Sequence, residues 1–408
     1  MIAQPAALRQ RLPAGDPVRF DGHMRLHWAI LGLMALSLSQ SVEAQRPVKG
    51  QYIAFVGTYT GKESKGIYAF RFDSDNGKMQ PLGLAAEIRN PTFLAPHTKG
   101  RFLYSIGEVG DFQGQKAGSV SAFAVDAKTG KLTLLNTVST RGAGPCHVSV
   151  DDTGRCVLVA NYGGGSVAVF RIGEDGKLSE ATDFVQHTGK GPNLKRQAGP
   201  HAHAFTLAPD NRYAFAPDLG ADRVFIYRLD PVNGKITPGD PPSVKIIPGA
   251  GPRHIAFHPS AKFAYVINEL LSTITTFEYD AERGQLQEIQ NLSTLPEDFQ
   301  GESYTAEVAV HKSGRWLLGS NRGHDSLTLF SIDRRTGRLA LQHHIPTQGK
   351  WPRHFTFDPS GRFILVANQH TNNIVVFRFD PETGRITPAG VNVEAPAPVC
   401  IDFVQAMR

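Results

Sequence analysis

Residues 351–377, WPRHFTFDPSGRFILVANQHTNNIVVF, carry the pattern that organises the chain. Residues 355–357 alternate apolar and polar side chains and predict a short strand. Asp358-Pro359-Ser360-Gly361 is a turn. Residues 363–367 form an apolar run with branched side chains, a second strand. A polar loop follows, and residues 374–377 are a third strand. Turn residues stand where the backbone must bend, and branched or aromatic residues where a pleated surface must be filled. A three-stranded piece of this size cannot bury its own faces and needs copies of itself on both sides.

The copies are present, beginning at Asn90, Gly144, Pro200, Gly251 and, without the opening proline, Tyr304. A second marker closes each unit: Gly, then Lys, Arg or Gln, then Met, Leu or Ile, at Gly77, Gly130, Gly176, Gly234, Gly284, Gly337 and Gly384. These seven markers lie 46 to 58 residues apart. Four short strands with their turns need roughly 40 to 50 residues, the period of a propeller blade. Residues 52–56 align with the second strand of the unit, so the pattern starts one strand late. The missing first strand is at the other end, where residues 398–403 align with 352–357. The expectation is all-β: seven four-stranded antiparallel blades, closed by a C-terminal strand joining the N-terminal blade.

Length alone, 408 residues, would suggest two or three domains; the repeat replaces that with one domain over residues 45–408. Residues 1–44 stand outside the pattern. Residues 24–28 are a short basic start, 29–38 are apolar, and Val42-Glu43-Ala44 is a small-x-small cleavage site. This reads as a signal peptide over about 24–44, with Met24 the expected start and 1–23 untranslated, and it implies export to the periplasm or the outside. The apolar run is too short to span a bilayer, and no later segment is long enough, so no stable membrane insertion is expected after cleavage. The net charge of +6 is spread without a Lys/Arg block, which argues for solubility and against nucleic acid. Cys146, Cys156 and Cys400 are an odd set from distant repeats and are expected to be buried thiols. A closed ring has no edge that demands a partner, so a monomer is expected.

Aligning the units places Phe93, His147, Ala204, His254, Glu307, His354 and Cys400 at one equivalent position of the innermost strand. One residue earlier come Thr92, Cys146, His203, Arg253, Ala306, Arg353 and Val399. The second strands end at Glu108, Asn161-Tyr162, Asp218, Asn268-Glu269, Asn321-Arg322 and Asn368-Gln369. Strand directions bring all these ends to one mouth of the channel. Asn or Asp at a strand end is accounted for by turn chemistry alone. Three His and one Glu at one register, two of the His preceded by Arg, are hard to explain as packing and point to a site. Two long connections, 183–199 and 291–304, fall where binding loops belong.

His201-Ala202-His203 has the spacing of a metal pair on a strand, but no recognised ligand set accompanies it, so neither metal nor cofactor is expected. Gly163-Gly164-Gly165 opens no helix, and no G-x-S-x-G elbow exists, which argues against a phosphate cradle and a serine hydrolase.

The run GPNLKRQAGPHAHAFTLAPDNRYAFAPDLGADRVFIY, with GTYT at 57–60, GPRHIAFHP at 251–259, NEL at 268–270 and SNRGHDS at 320–326, resembles the signature of the seven-bladed lactonase family. That family includes propeller-type 6-phosphogluconolactonases and carboxymuconate lactonising enzymes. The resemblance spans about residues 52–404 and implies a site around His147, Arg196, His201, His203, His254 and Glu269. Export departs from the cytosolic location of 6-phosphogluconolactone. Ring opening needs a water-activating group, positive charge for the carbonyl oxygen and an anchor for the substrate's anion. Glu269 or His203 is the expected base, Arg196 holds the acid group, and His147 and His254 orient the ring or polarise the carbonyl. Arg253, Asn268, Arg353 and His354 are further substrate-binding candidates. The expected activity is hydrolysis of a sugar-acid lactone. Alternatives are a carboxymuconate-type lactonising cyclase and a non-catalytic YVTN-type binding propeller, and the latter predicts that the His/Arg ring does not converge.

Overall fold

A computed structural model describes residues 46–408. The expected leader lies outside the described residues. The described residues contain 28 strands in seven antiparallel sheets of four, and among them no helix is long and apolar enough to cross a membrane. The chain is therefore all-β, a seven-bladed propeller. The segment that sets the repeat forms Pro352–Phe357, Phe363–Asn368, Asn373–Phe379 and Ile386–Glu394, with the first strand starting earlier than the alternation alone indicated. The closing blade is shared as expected. Pro398–Met407 pairs with Pro47–Thr58, which pairs in turn with Gly66–Asp73 and, through it, Met79–Glu87.

Each blade is buried on both faces, because alternate residues of one strand enter different seams. Ile53 and Phe55 pack against Leu94, Leu103 and Phe123 of the next blade, while Ala54 and Val56 pack against Phe363, Leu365 and Val376 of the preceding one. Seven such clusters exist, one per seam. Full burial of one large apolar side chain is worth about 1.5–3 kcal/mol, so the seams hold the ring together. The marker glycines sit at these seams. Gly337 has φ +70°, and a Cβ there would stand 2.4 Å from the Phe263 ring; Gly176, at φ +81°, meets Phe102 in the same way. Only glycine meets both demands. Hydroxyls of Tyr265 and Tyr104 donate across the seams to the carbonyls of Gly337 and Gly176.

One irregularity repeats at the channel. Register shifts occur between Pro145 and His147, Pro252 and His254, and Pro352 and His354, with equivalents between Thr305 and Val308 and opposite Cys400. A bulge adds a residue to one strand and re-aims side chains. Here it turns two consecutive residues toward the axis, so each of these bulged strands contributes to two tiers.

Candidate active site at the channel mouth

The upper tier encloses a cavity of about 320 Å³ lined by Glu108, Cys146, Tyr162, Arg196, His203, Glu269, Tyr304, Arg322, Trp351 and Arg353. Ligand pockets begin at about 300 Å³, so the space suits a small molecule. Strand ends supply most of the lining. Tyr59, Glu108, Tyr162, Glu269 and Arg322 each immediately follow, or end, the second strand of a blade. The connection before His201 supplies Arg196, and the strand after the 291–304 connection opens with Tyr304.

Glu269 is the hub. Its carboxylate lies 2.6 Å from Arg196 Nη2, 3.2 Å from Arg253 Nε and 2.9 Å from Arg322 Nη2. Burial by itself would push this carboxyl up; Arg322, Arg253 and Arg196 outweigh burial and hold it at about 2. Burial lowers Arg322 to about 9, which leaves it cationic at neutral pH. Tyr162 accepts from Arg196 at 3.1 Å. Arg322 lies over the Trp351 ring at 5.5 Å. Trp351 itself has φ +64°, a costly conformation for a bulky side chain, held by Asp325 Oδ1 accepting its N–H at 2.8 Å.

His203 Nε2 stands 3.7 Å from Glu269 Oε2, and its ring is edge-on to Tyr162. Burial first, then Arg253 and His254, lower its pKa well below the ordinary imidazole value, so it is neutral at pH 7. Cys146 lines the same wall with its Sγ 3.5 Å from His203 Nδ1; burial raises the thiol, and its nearest acceptors include the His203 carbonyl. It is a thiol here and not a nucleophilic thiolate. The other two cysteines are also free and buried. Across the cavity, Arg353 Nη2 donates to the Tyr59 hydroxyl at 3.0 Å and lies 5.4 Å over that ring. Among the described residues Arg353 forms no ion pair with a carboxylate, unlike Arg196, Arg253 and Arg322.

The lower tier is a plug of imidazoles around Phe93, whose ring lies 4.4 Å from His147, 5.7 Å from His254 and 5.8 Å from His354. Hydrogen bonds fix their tautomers. Arg253 Nη1 donates to His254 Nε2 at 3.1 Å, so His254 Nδ1 carries the proton and donates to Glu307. Backbone N–H groups of Phe205 and Ile401 donate to Nδ1 of His147 and His354, so those rings are protonated at Nε2. Burial keeps all three neutral, His354 at about 4.

The structure thus brings Arg196, His203, Arg253, Glu269 and Arg353 to one mouth. It places His147, His254 and His354 one tier below the cavity. His201 stacks on Tyr162 at 4.6 Å and bonds its carbonyl through Nδ1, behind the lining. Asn268 is buried in its blade, donating to Thr273 and Thr275. Glu108, Arg322, Tyr59, Tyr162, Tyr304 and Trp351 were not among the candidates. The aligned strand ends already displayed Glu108, Tyr162 and Arg322, the last two one position past the turn-forming asparagines.

The description "Lactonase, 7-bladed beta-propeller" matches residues 53–403. The chain belongs to this family of seven-bladed propeller lactonases. A 6-phosphogluconolactonase of Bacillus subtilis is 42% identical over 87% of this chain and 99% of its own length. The Pseudomonas aeruginosa periplasmic gluconolactonase, a solved structure, is 34% identical with a TM-score of 0.80, covering 87% of this chain and 99% of its own. A solved Bacteroides fragilis protein is 38% identical, TM-score 0.81, with 87% and 98% covered.

Proposed function

We propose that this lactonase hydrolyses a sugar-acid lactone at the channel mouth, by the resources of the upper tier. The observation that carries the reading is the gathering of His203, Glu269 and four arginines around one small cavity. Arg196, Arg253, Arg322 and Arg353 face two carboxylates in the upper tier, Glu108 and Glu269, so the mouth is net positive and favours an anionic or electron-rich ligand. The similarity to a 6-phosphogluconolactonase and a gluconolactonase supports the same substrate class.

Of the two expected bases, His203 suits the role better. The Glu269 carboxylate is held at about 2 and taken up by three guanidinium groups, whereas His203, although burial lowers it too, is a neutral imidazole on the cavity wall that can take a proton as water attacks. In this reading His203 takes a proton from water as the water oxygen bonds the lactone carbonyl carbon. Arg322 and Arg196 balance the charge developing on the carbonyl oxygen. The bond from that carbon to the ring oxygen then breaks, and the imidazolium of His203 returns the proton to the departing oxygen, giving the open hydroxy acid. Glu269 gathers and orients the guanidinium groups. Arg353, free of a carboxylate, is the better site than Arg196 for the substrate's own anion. His254 holds Arg253 and Glu307 from below, and His354 lies 3.5 Å from Glu307. The chain is further proposed to be exported and to act as a monomer; the leader pattern and the periplasmic relative support the first, and the closed ring the second.

The test is acid release at constant pH from δ-gluconolactone and its 6-phosphate, above the spontaneous rate. Ring opening that H203Q slows supports the reading; no acceleration of either lactone overturns it.

A further inference from the structure

The cavity holds a second carboxylate in an environment opposite to the first. Glu269 is surrounded by guanidinium groups; Glu108 is surrounded by hydroxyls. Tyr59 Oη lies 2.9 Å from both oxygens of Glu108 and donates to them, and Thr92 Oγ1 donates to Oε2 at 2.6 Å. Among the described residues these hydroxyls are the only side-chain partners of the Glu108 carboxylate. Its position is well fixed. Backbone atoms at both of its ends bond Asn90, the Glu108 N–H to the Asn90 carbonyl and Asn90 Nδ2 to the Glu108 carbonyl. Asn90 also receives bonds from Thr60, which ties the end of one blade to the start of the next.

Environment assigns different tasks to two carboxylates in one pocket. An ionised carboxylate is acceptor-only with about four lone-pair sites. Tyr59 and Thr92 take up part of that capacity, and Glu108 lines the cavity. Among the described residues no guanidinium pairs with Glu108 directly, and Arg353 reaches it only through the Tyr59 hydroxyl, so the carboxylate keeps acceptor capacity that attracts hydroxyl donors. A polyhydroxylated ring supplies such donors; a bare aliphatic lactone or a carboxylated one does not. The mouth is therefore divided, with Arg196, Arg253 and Arg322 around Glu269 suited to the carbonyl, and Glu108, next to Arg353 through Tyr59, suited to ring hydroxyls.

We propose that Glu108, oriented by Tyr59 and Thr92, is a specificity-determining residue that reads the hydroxyl groups of the substrate. The proposal rests on the lactonase reading above and adds to it the residue that recognises the sugar hydroxyls. A hydrogen bond to a charged group contributes enough to change affinity by about 10- to 100-fold. A site built to bond a hydroxyl also discriminates strongly against an analogue lacking it.

The experiment compares wild type with E108Q on δ-gluconolactone and δ-valerolactone, by kcat/KM. The ratio between the two substrates is expected to fall by about 10- to 100-fold in E108Q, with the loss on δ-valerolactone at least tenfold smaller than that on δ-gluconolactone. Equal losses on both lactones would make Glu108 part of the bond-breaking machinery and overturn the proposal, as would no loss on either. A parallel arm measures calorimetric binding of gluconate and hexanoate. Wild type is expected to prefer gluconate, and E108Q to lose that preference. If wild type opens neither lactone, the hydrolytic reading fails, and the binding arm alone decides for or against Glu108. T92V, which removes one orienting hydroxyl and keeps the side-chain shape, repeats both arms should E108Q not fold; a smaller shift in the same direction supports the proposal and none overturns it.

Discussion

Replacing Glu269 by Gln keeps the shape of the hub and removes its charge, and the consequence for stability can be worked from the geometry. Three guanidinium groups lie within 3.2 Å of this carboxylate, which is only 4% exposed. They hold it at about 2, against 4.5 for an ordinary glutamate. That difference amounts to about 3 kcal/mol of folding stability at neutral pH, comparable to the cost of breaking a buried pair on one side. The folded-state carboxyl titrates lower than the unfolded one. Its contribution is therefore complete above about pH 4.5 and disappears as the pH falls toward 2. E269Q should be about 3 kcal/mol less stable than wild type at pH 7, and the gap should shrink by about half by pH 3. Urea unfolding followed by the fluorescence of Trp316 and Trp351 at several pH values measures it. A gap below 1 kcal/mol at pH 7, or one that does not change with pH, would refute the cage of charges around Glu269.

Other outcomes follow from the same geometry. H203Q should lower kcat by about 10²–10⁴-fold with little change in KM, and wild-type activity should persist below pH 6 because burial keeps His203 neutral there; a wild-type acid limb centred at the ordinary imidazole value would count against His203 as base. R353A should raise KM more for δ-gluconolactone 6-phosphate than for δ-gluconolactone, since Arg353 has no carboxylate to neutralise it; equal effects would move the anion's site elsewhere. G337A should destabilise the fold by at least about 1 kcal/mol, from strain at φ +70° together with the 2.4 Å approach to Phe263, visible as a lower thermal midpoint.

The ring itself was legible in the chain. Repeats, marker glycines and the displaced first strand determined blade number and closure, because each reflects a local demand that recurs seven times. The site was legible only in part. Arg253 and His254, like Arg353 and His354, were both expected at the mouth although alternation along a strand assigns neighbours to opposite faces, and the bulges are what allow it. The bulge that turns both inward follows the opening prolines Pro145, Pro252 and Pro352, a signal that alternation does not read. The two aligned registers separate His147, His254 and His354 from His203 and Arg353, but alignment carries no depth, so it did not show that the first set lies beneath the cavity. Glu108 and Arg322 were hidden differently. Asn321 beside Arg322 is explained by its bonds to Thr294, Ser326 and Thr328, and that sufficient local account drew attention from the neighbour that faces the cavity.

The shared blade has a consequence for when this enzyme becomes an enzyme. Tyr59 and Arg353 touch at the mouth although 294 positions separate them, and the strand Pro398–Met407 must dock on Pro47–Thr58 before the circle exists. A polypeptide stopped short of its last dozen residues would hold nearly every chemical group of the mouth and still leave the two flanks of the cleft unlatched. Competence is therefore conferred in a single step, when that strand docks, so products truncated before it should be inert.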